Sequence, residues 1–381
     1  MTDDKLENNL NLTIEDNPAF KLLQNANQLD EKEIIFRHYV NKIIGYIIYY
    51  SGLIMALRQR DCKKGDLAWR ILKYEKILTP EAAQNEILQD NITLLEDFKL
   101  HLEFLKEKCQ VIPFRQLLLK QINGENIPPN TVVLTFDKGH QSIYTNALPL
   151  LKQYNLPATL FIPTIYIGSS NMLWYEKLLT AFQILKNNNI PLDFPFLKDF
   201  ELIYNTFNSK INFKTDWNSS LITYLRTLDI NERYAILHSV LEVVEKITAF
   251  PQVKSFMSWK EVELAFQDGF DIGTMGHGYQ YFRELSPAEL EEELKLSVQA
   301  LLEHKIEPLP IICPPDQDEL FPNTRAQLVK LGVSVYCGGT LYWNNLNSKE
   351  LGIYYRRTPL RDLVKTKPEL AMQLWNLKLL N

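Results

Sequence analysis

Cysteine is scarce in this sequence and scattered. Cys62, Cys109, Cys313 and Cys337 lie far apart and form no C-x-x-C pair, which argues against a disulfide framework or a structural zinc site and leaves reduced core thiols. The N-terminus lacks the basic opening and apolar run of a secretory leader, since MTDDKLENNLNLTIEDN is acidic and polar. A cytoplasmic protein is the expectation. Neither sign of charge dominates: 41 Lys+Arg stand against 46 Asp+Glu, a formal charge of −5. That leaves no basic surface for nucleic acid and no acidic tail. A stretch long enough to span a bilayer is lacking where the chain is most apolar. IIGYIIYYSGLIMAL (43–57) has no charge and is followed by Arg58, Arg60, Lys63 and Lys64, but it falls short of the roughly 20 residues a span needs. It reads as a buried helix, with peripheral membrane contact through an interfacial helix as the alternative.

What is present is a globular composition, 46% apolar and 23% charged over 381 residues, enough to bury a sizeable core. The first 30 or so residues are polar and without periodicity, and a helical stretch follows over about 31–60. Leu95, Phe98, Leu102 and Leu105 recur at helical spacing over 94–108. After the turn-rich GENIPPN (124–130), TVVLTF (131–136) is the continuous β-branched run of a buried parallel strand. Ser142 is placed to cap a helix through Tyr154, and ATLFI (158–162) is a second buried strand. The rhythm returns after residue 257. Ser258 with Glu261 forms a capping box before a helix at 259–267, and FDIGT (270–274) reads as a strand. Ser286, Pro287 and Glu289 start a helix over 287–304. Strands are expected at 309–312 and 333–337, separated by a helix ending near Gly332. Alternating strands and helices predict a parallel α/β sheet or barrel. Between the two halves, 171–247 is helical and rich in Asn, Phe and Tyr, which reads as a helical insertion.

The segment LTFDKGHQSIYTNALPLLKQYNLPATLFIPT (134–164) resembles the first motif of the polysaccharide deacetylases (the NodB homology domain, carbohydrate esterase family 4), which reads T-F-D-D-G, a helix, then an A-T-L-F strand. ILKYEKI (71–77), FKLHLEFLKEKCQVIPFRQLL (98–118), LWYEKL (173–178) and FMSWKEVELAFQDGFDIGT (256–274) follow the same family's landmarks in order. The resemblance implies a distorted (β/α) barrel of seven or eight strands over about 67–376, carrying the insertion at 171–247 and preceded by a leader and apolar helix at 1–66. It also implies a site at the C-terminal ends of the strands and carbohydrate or glycoconjugate as partner. Asp137 follows TVVLTF directly, where an α/β barrel presents its chemistry. In active members the first Asp of the motif is the general base. The second Asp and two histidines hold zinc or another divalent metal that polarises the amide and activates water.

Measured against that pattern, the sequence keeps Asp137 at the base position and loses the rest. Lys138 stands where the metal-binding Asp belongs, and a protonated ammonium offers no lone pair. Anchoring on Ile272-Gly273 and on Leu285-Ser286 puts Met275 and Tyr279 on the two histidine positions. A thioether and a phenol are poor ligands for a hard or borderline metal, so no metal is expected. The proline–aromatic–glycine strand end appears as Cys313-Pro314-Pro315-Asp316, and no histidine follows His304 to act as a late general acid. The implied function is a deacetylase-like protein of surface-polysaccharide metabolism, impaired or non-catalytic. The alternative is a metal-independent hydrolase of a C–N amide bond, with Asp137 as base and Lys138 stabilising an oxyanion. Substrate contacts are assigned to His140, His277 and Tyr279. A rebuilt metal triad of Asp137, His140 and His277 stays open beside the plainer reading of solvated loop histidines. The aromatics of 165–205 read as core rather than sugar platforms, and Arg356-Arg357 as surface or ion-pairing residues.

Overall fold

A computed structural model describes residues 46–47, 49–51, 69–88, 91–128, 130–210, 216–315, 322–331, 333, 335–338, 353–359 and 364–374. These residues fall into two compact units, one drawn from 172–251 and the other from the stretches on either side of it. The flanking stretches carry every strand. In chain order they are β1 (Arg70–Tyr74), β2 (Lys76–Leu78), β3 (Ile92–Leu94), β4 (Gln110–Val111), β5 (Thr131–Asp137), β6 (Thr159–Ile162), β7 (Asp271–Thr274), β8 (Val335–Gly338), β9 (Ile353–Arg356) and β10 (Thr358–Pro359).

All pairings among these strands are parallel. The main sheet runs β10-β1-β5-β6-β7, with β4 beside β5, and β8 pairs with β9. Single bridges Thr274 to Ile312 and Ile312 to Tyr336 carry the ladder from β7 to β8. The segment 353–359 then closes the ring: its first half pairs with β8 and its second half with β1. The result is a distorted α/β barrel, as the resemblance implies. Arg357 sits at the changeover between the two partners.

Side-chain alternation sets the two faces of this ring. Tyr74 and Phe136 stack at 5.3 Å and both meet Phe98 of the helix Leu95–Lys108, so they face outward. Ile312 and Tyr336 likewise join an outer cluster with Leu290, Leu294 and Leu328. Their chain neighbours Lys73, Glu75, Asp137, Cys313 and Cys337 therefore face the interior. Phe161 shares that interior, and Gly273 opposite it in register is required: a Cβ there would lie 2.5 Å from the Phe161 ring.

Several boundaries differ from the sequence reading. Ser142 does not cap a helix. Its backbone is already helical, the chain first makes a π-turn over Ile143–Ala147, and the α-helix is Leu148–Tyr154. The expected strand at 309–312 shrinks to the bridge at Ile312, because Pro308, Pro310 and Pro314 have no N–H to give to a ladder. The next strand is Val335–Gly338 and the helix before it Pro322–Lys330. Both capping boxes, Ser258 with Glu261 and Ser286 with Glu289, form.

The unit drawn from 172–251 is helical: Trp174–Asn187, Pro195–Lys210, Trp217–Leu225 and Ile230–Glu245. Phe182 and Phe200 pack on Trp217, and Trp174, Tyr175, Phe182 and Phe200 are buried, so these aromatics are core. Most of the helix expected over 31–60, including all of the stretch 43–57 but residues 46–47 and 49–51, lies outside the described residues, as does Cys62. No helix among the described residues is long and apolar enough to cross a membrane.

Candidate functional site

The site expected at the strand ends is built from charges that the chain uses on itself. Asp137 ends β5 and is 1% exposed. Arg357 approaches it fork to fork: Nη1 donates to Oδ1, and Nη2 to Oδ2 at 2.9 Å. A bidentate guanidinium–carboxylate pair is the strongest form of such contact. Phe161 lies under the guanidinium, its centroid 5.6 Å away. Lys73 Nζ stands 3.4 Å from Asp137 Oδ2 and 3.6 Å from Glu75 Oε2. Lys138 Nζ donates to Glu75 Oε1 at 2.7 Å. The order Arg357, Asp137, Lys73, Glu75, Lys138 thus alternates in sign, and every member is 5% exposed or less. Burial favours the neutral form of Asp137, but Arg357, Lys73 and Lys138 outweigh it and hold the carboxyl below its ordinary value. Arg357 is correspondingly held more firmly protonated.

Asp137 and Lys138 are chain neighbours with different partners, and the turn explains why. Lys138 and Gly139 both have positive φ, 68° and 67°. Two left-handed residues in succession send Lys138 away from Asp137 and toward Glu75. Gly139 has no room for a side chain, since a Cβ would sit 2.9 Å from Ile162 Cγ2.

The second-motif loop begins where β7 ends. Met275 is fully buried, and its N–H donates to Ile162 O. Tyr279 is 4% exposed, has φ 58°, and presents its ring 5.5 Å from Lys138 Nζ. Glu293, from the helix Pro287–Glu303, organises this loop. Gly278 N–H donates to it at 2.6 Å, and the N–H groups of His277, Tyr279 and Gln280 lie within reach of the same carboxylate. Two of the three positions that the resemblance assigns to metal ligands, Lys138 and Tyr279, therefore do come together.

Each of the two histidines is engaged by a neighbouring hydroxyl. His140 Nδ1 accepts from Ser142, whose hydroxyl lies at 2.8 Å and whose N–H lies at 3.1 Å, while Ser142 Oγ accepts Ile77 N–H. Burial, with Lys76 and Lys138 nearby, holds the His140 pKa at about 3, so the ring is neutral at pH 7. His277 Nδ1 pairs with Thr164 Oγ1 at 2.9 Å, and burial lowers its pKa too. The triad Asp137/His140/His277 is not assembled: among the described residues no three His, Cys, Asp or Glu side chains form a group able to hold a metal ion. An ammonium already bound to a carboxylate, a buried thioether and a phenol do not suit a divalent cation.

Sequence reading missed Lys73 and Glu75. Their signal was visible in RILKYEKIL, where the charged residues 73 and 75 alternate with Leu72 and Tyr74. A period-two charged stripe in a buried strand must be paired inside the barrel. Arg357, read as surface or ion-pairing, is fully buried and ion-paired.

Comparison with known proteins agrees with this fold. The family model described as Polysaccharide deacetylase matches residues 124–188. The poly-beta-1,6-N-acetyl-D-glucosamine N-deacetylase of Staphylococcus epidermidis is 35% identical over 77 residues, 20% of this chain and 26% of that protein. Its Staphylococcus aureus counterpart is 33% identical over 75 residues, 19% of this chain and 26% of that protein. The matches thus span about a quarter of the length of these curated relatives. Among solved structures, the Streptococcus pyogenes deacetylase PplD in complex with acetate is similar with a TM-score of 0.50 and 15% identity, over 81% of this chain and 98% of that one. A polysaccharide deacetylase from Bacillus cereus has a TM-score of 0.50 and 13% identity, over 81% and 69%. The matched segment and the fold are those of the NodB-type polysaccharide deacetylases.

Proposed function

We propose that this chain is a polysaccharide deacetylase-like protein of surface-polysaccharide metabolism that binds a carbohydrate and does not carry out metal-dependent deacetylation. The observation that carries this reading is the buried Lys138–Glu75 pair. At the position of a metal-binding carboxylate the chain holds a cation, and it has supplied that cation with its own counter-charge. The relatives matched here are named for N-acetyl-glucosamine polymers, which supports that class of saccharide as the partner. The test is calorimetry with N-acetylglucosamine oligomers alongside an assay for released acetate. Saturable binding without acetate is expected. Acetate release that depends on added zinc would overturn the proposal.

A second reading, a metal-independent C–N hydrolase using Asp137, has one observation in its favour: the carboxyl is held ionised at the end of a barrel strand. Against it, both carboxylate oxygens already accept from Arg357 and almost no surface is exposed. A base must reach the proton it abstracts. If this reading holds, Asp137→Asn abolishes a metal-independent acetate release that the wild-type chain shows.

A further inference from the structure

Two thiols that the charge network does not use lie side by side in the barrel interior. The bridge between Ile312 and Tyr336 is parallel, and Cys337 N–H donates to Ile312 O at 2.8 Å. Cys313 and Cys337 are therefore the next register partners, on adjacent strands and on the same face. Ile312 and Tyr336 point outward into their cluster, which turns both thiols inward, and both are fully buried and free. Adjacent strands run roughly 5 Å apart, inside the Cα window of roughly 4.4–6.8 Å that a disulfide requires. Cys313 Sγ donates to Pro314 O at 3.7 Å, and Cys337, Arg357 and Asp137 lie close enough to act on the Cys313 thiol.

We infer that Cys313 and Cys337 form an oxidisable pair, a cross-strand modification site closed to a disulfide by a small peroxide. One sulfur attacks the O–O bond of hydrogen peroxide, giving a sulfenic acid and one water. The second thiol displaces the sulfenic oxygen, forming the S–S bond and releasing a second water. Two thiols are oxidised by two electrons, and one peroxide is reduced to two waters. Burial pushes the Cys313 thiol up, so the attacking thiolate is scarce at neutral pH and the step is slow. A bulky disulfide reagent cannot enter, whereas peroxide is about the size of water. The bond would tie the segment bearing Cys313 to β8, the strand that holds β9 and, through it, Arg357. This inference stands apart from the function proposed above, because it needs neither saccharide nor metal.

The test uses the full wild-type chain. It is exposed to hydrogen peroxide, alkylated under denaturing conditions, and mapped by peptide mass with and without dithiothreitol. The expected result is one peptide joining Cys313 to Cys337, lighter by two hydrogens than its parts and released by the reductant. Oxidised glutathione should produce it far more slowly. In Cys337→Ser the cross-link should vanish and Cys313 should carry bound oxygen instead. Full alkylation of both cysteines in wild-type chain after peroxide would overturn the inference, as would sulfinic acid at Cys313 without any cross-link.

Discussion

At the scale of single residues, the account rests on Asp137 and Arg357. A carboxylate and a guanidinium buried this completely are costly to bring out of water, and each is tolerable only because the other is there. Removing one partner strands the other. Arg357→Ala should therefore destabilise the chain by about 3–5 kcal/mol, read as a lower urea midpoint, and Arg357→Lys by less, because charge is kept while the fork is lost. A loss under about 1 kcal/mol in Arg357→Ala would mean that Asp137 is not held as described. His101 supplies a second residue-scale prediction. Its Nδ1 accepts from the Tyr74 hydroxyl at 3.2 Å and its Nε2 faces Val364 O at 2.7 Å. Burial lowers its pKa from 6.5 to about 4. The unfolded chain thus binds the proton more readily than the folded one, so stability is full above about pH 6.5 and declines as pH falls toward about 4. The gap corresponds to about 3 kcal/mol. Urea unfolding across pH 4.5–7.5 should show a slope to which His101 and His140 both contribute, and His101→Gln should reduce it without abolishing it.

At the scale of elements, the lesson is which strands could be read and which could not. TVVLTF and ATLFI are continuous apolar runs, and β5 and β6 fall on them. The segment around Ile312 failed because three prolines deny it donors, so it contributes single bridges on either side of Ile312 where a strand was expected. The closing segment 353–359 is too short and mixed for periodicity to reveal. Its role depends on pairing with two partners, β8 and β1, far away in sequence. Arg357 could be read as an ion-pairing residue, but no local pattern shows it at a barrel seam opposite Asp137. Gly273 is an element-scale constraint of the same kind. Gly273→Ala would drive a methyl group into the Phe161 ring and should cost about 1–3 kcal/mol by overpacking. Phe161→Leu in the same chain should recover part of that loss, and a double variant no more stable than Gly273→Ala alone would contradict the packing described.

At the scale of the whole molecule, the barrel and the strand-end position of Asp137 were legible from ordered motifs. The internal charge network was not, because motif comparison shows what a position lost and not what the new residue found. Lys138 read as a missing ligand; the structure makes it one end of a five-residue network with Glu75 as its partner. This explains how a barrel whose relatives are deacetylases can stay folded around an altered centre. It also makes the ligand positions reversible in principle. Lys138→Asp combined with Met275→His and Tyr279→His should give a chain that takes up zinc, with Glu75 left to Lys73 alone. The most direct measurement is elemental analysis of the wild-type chain and this triple variant, both equilibrated with zinc and then desalted. The account predicts far less than one zinc per wild-type chain and a marked gain in the variant. One tightly held zinc per wild-type chain would contradict it.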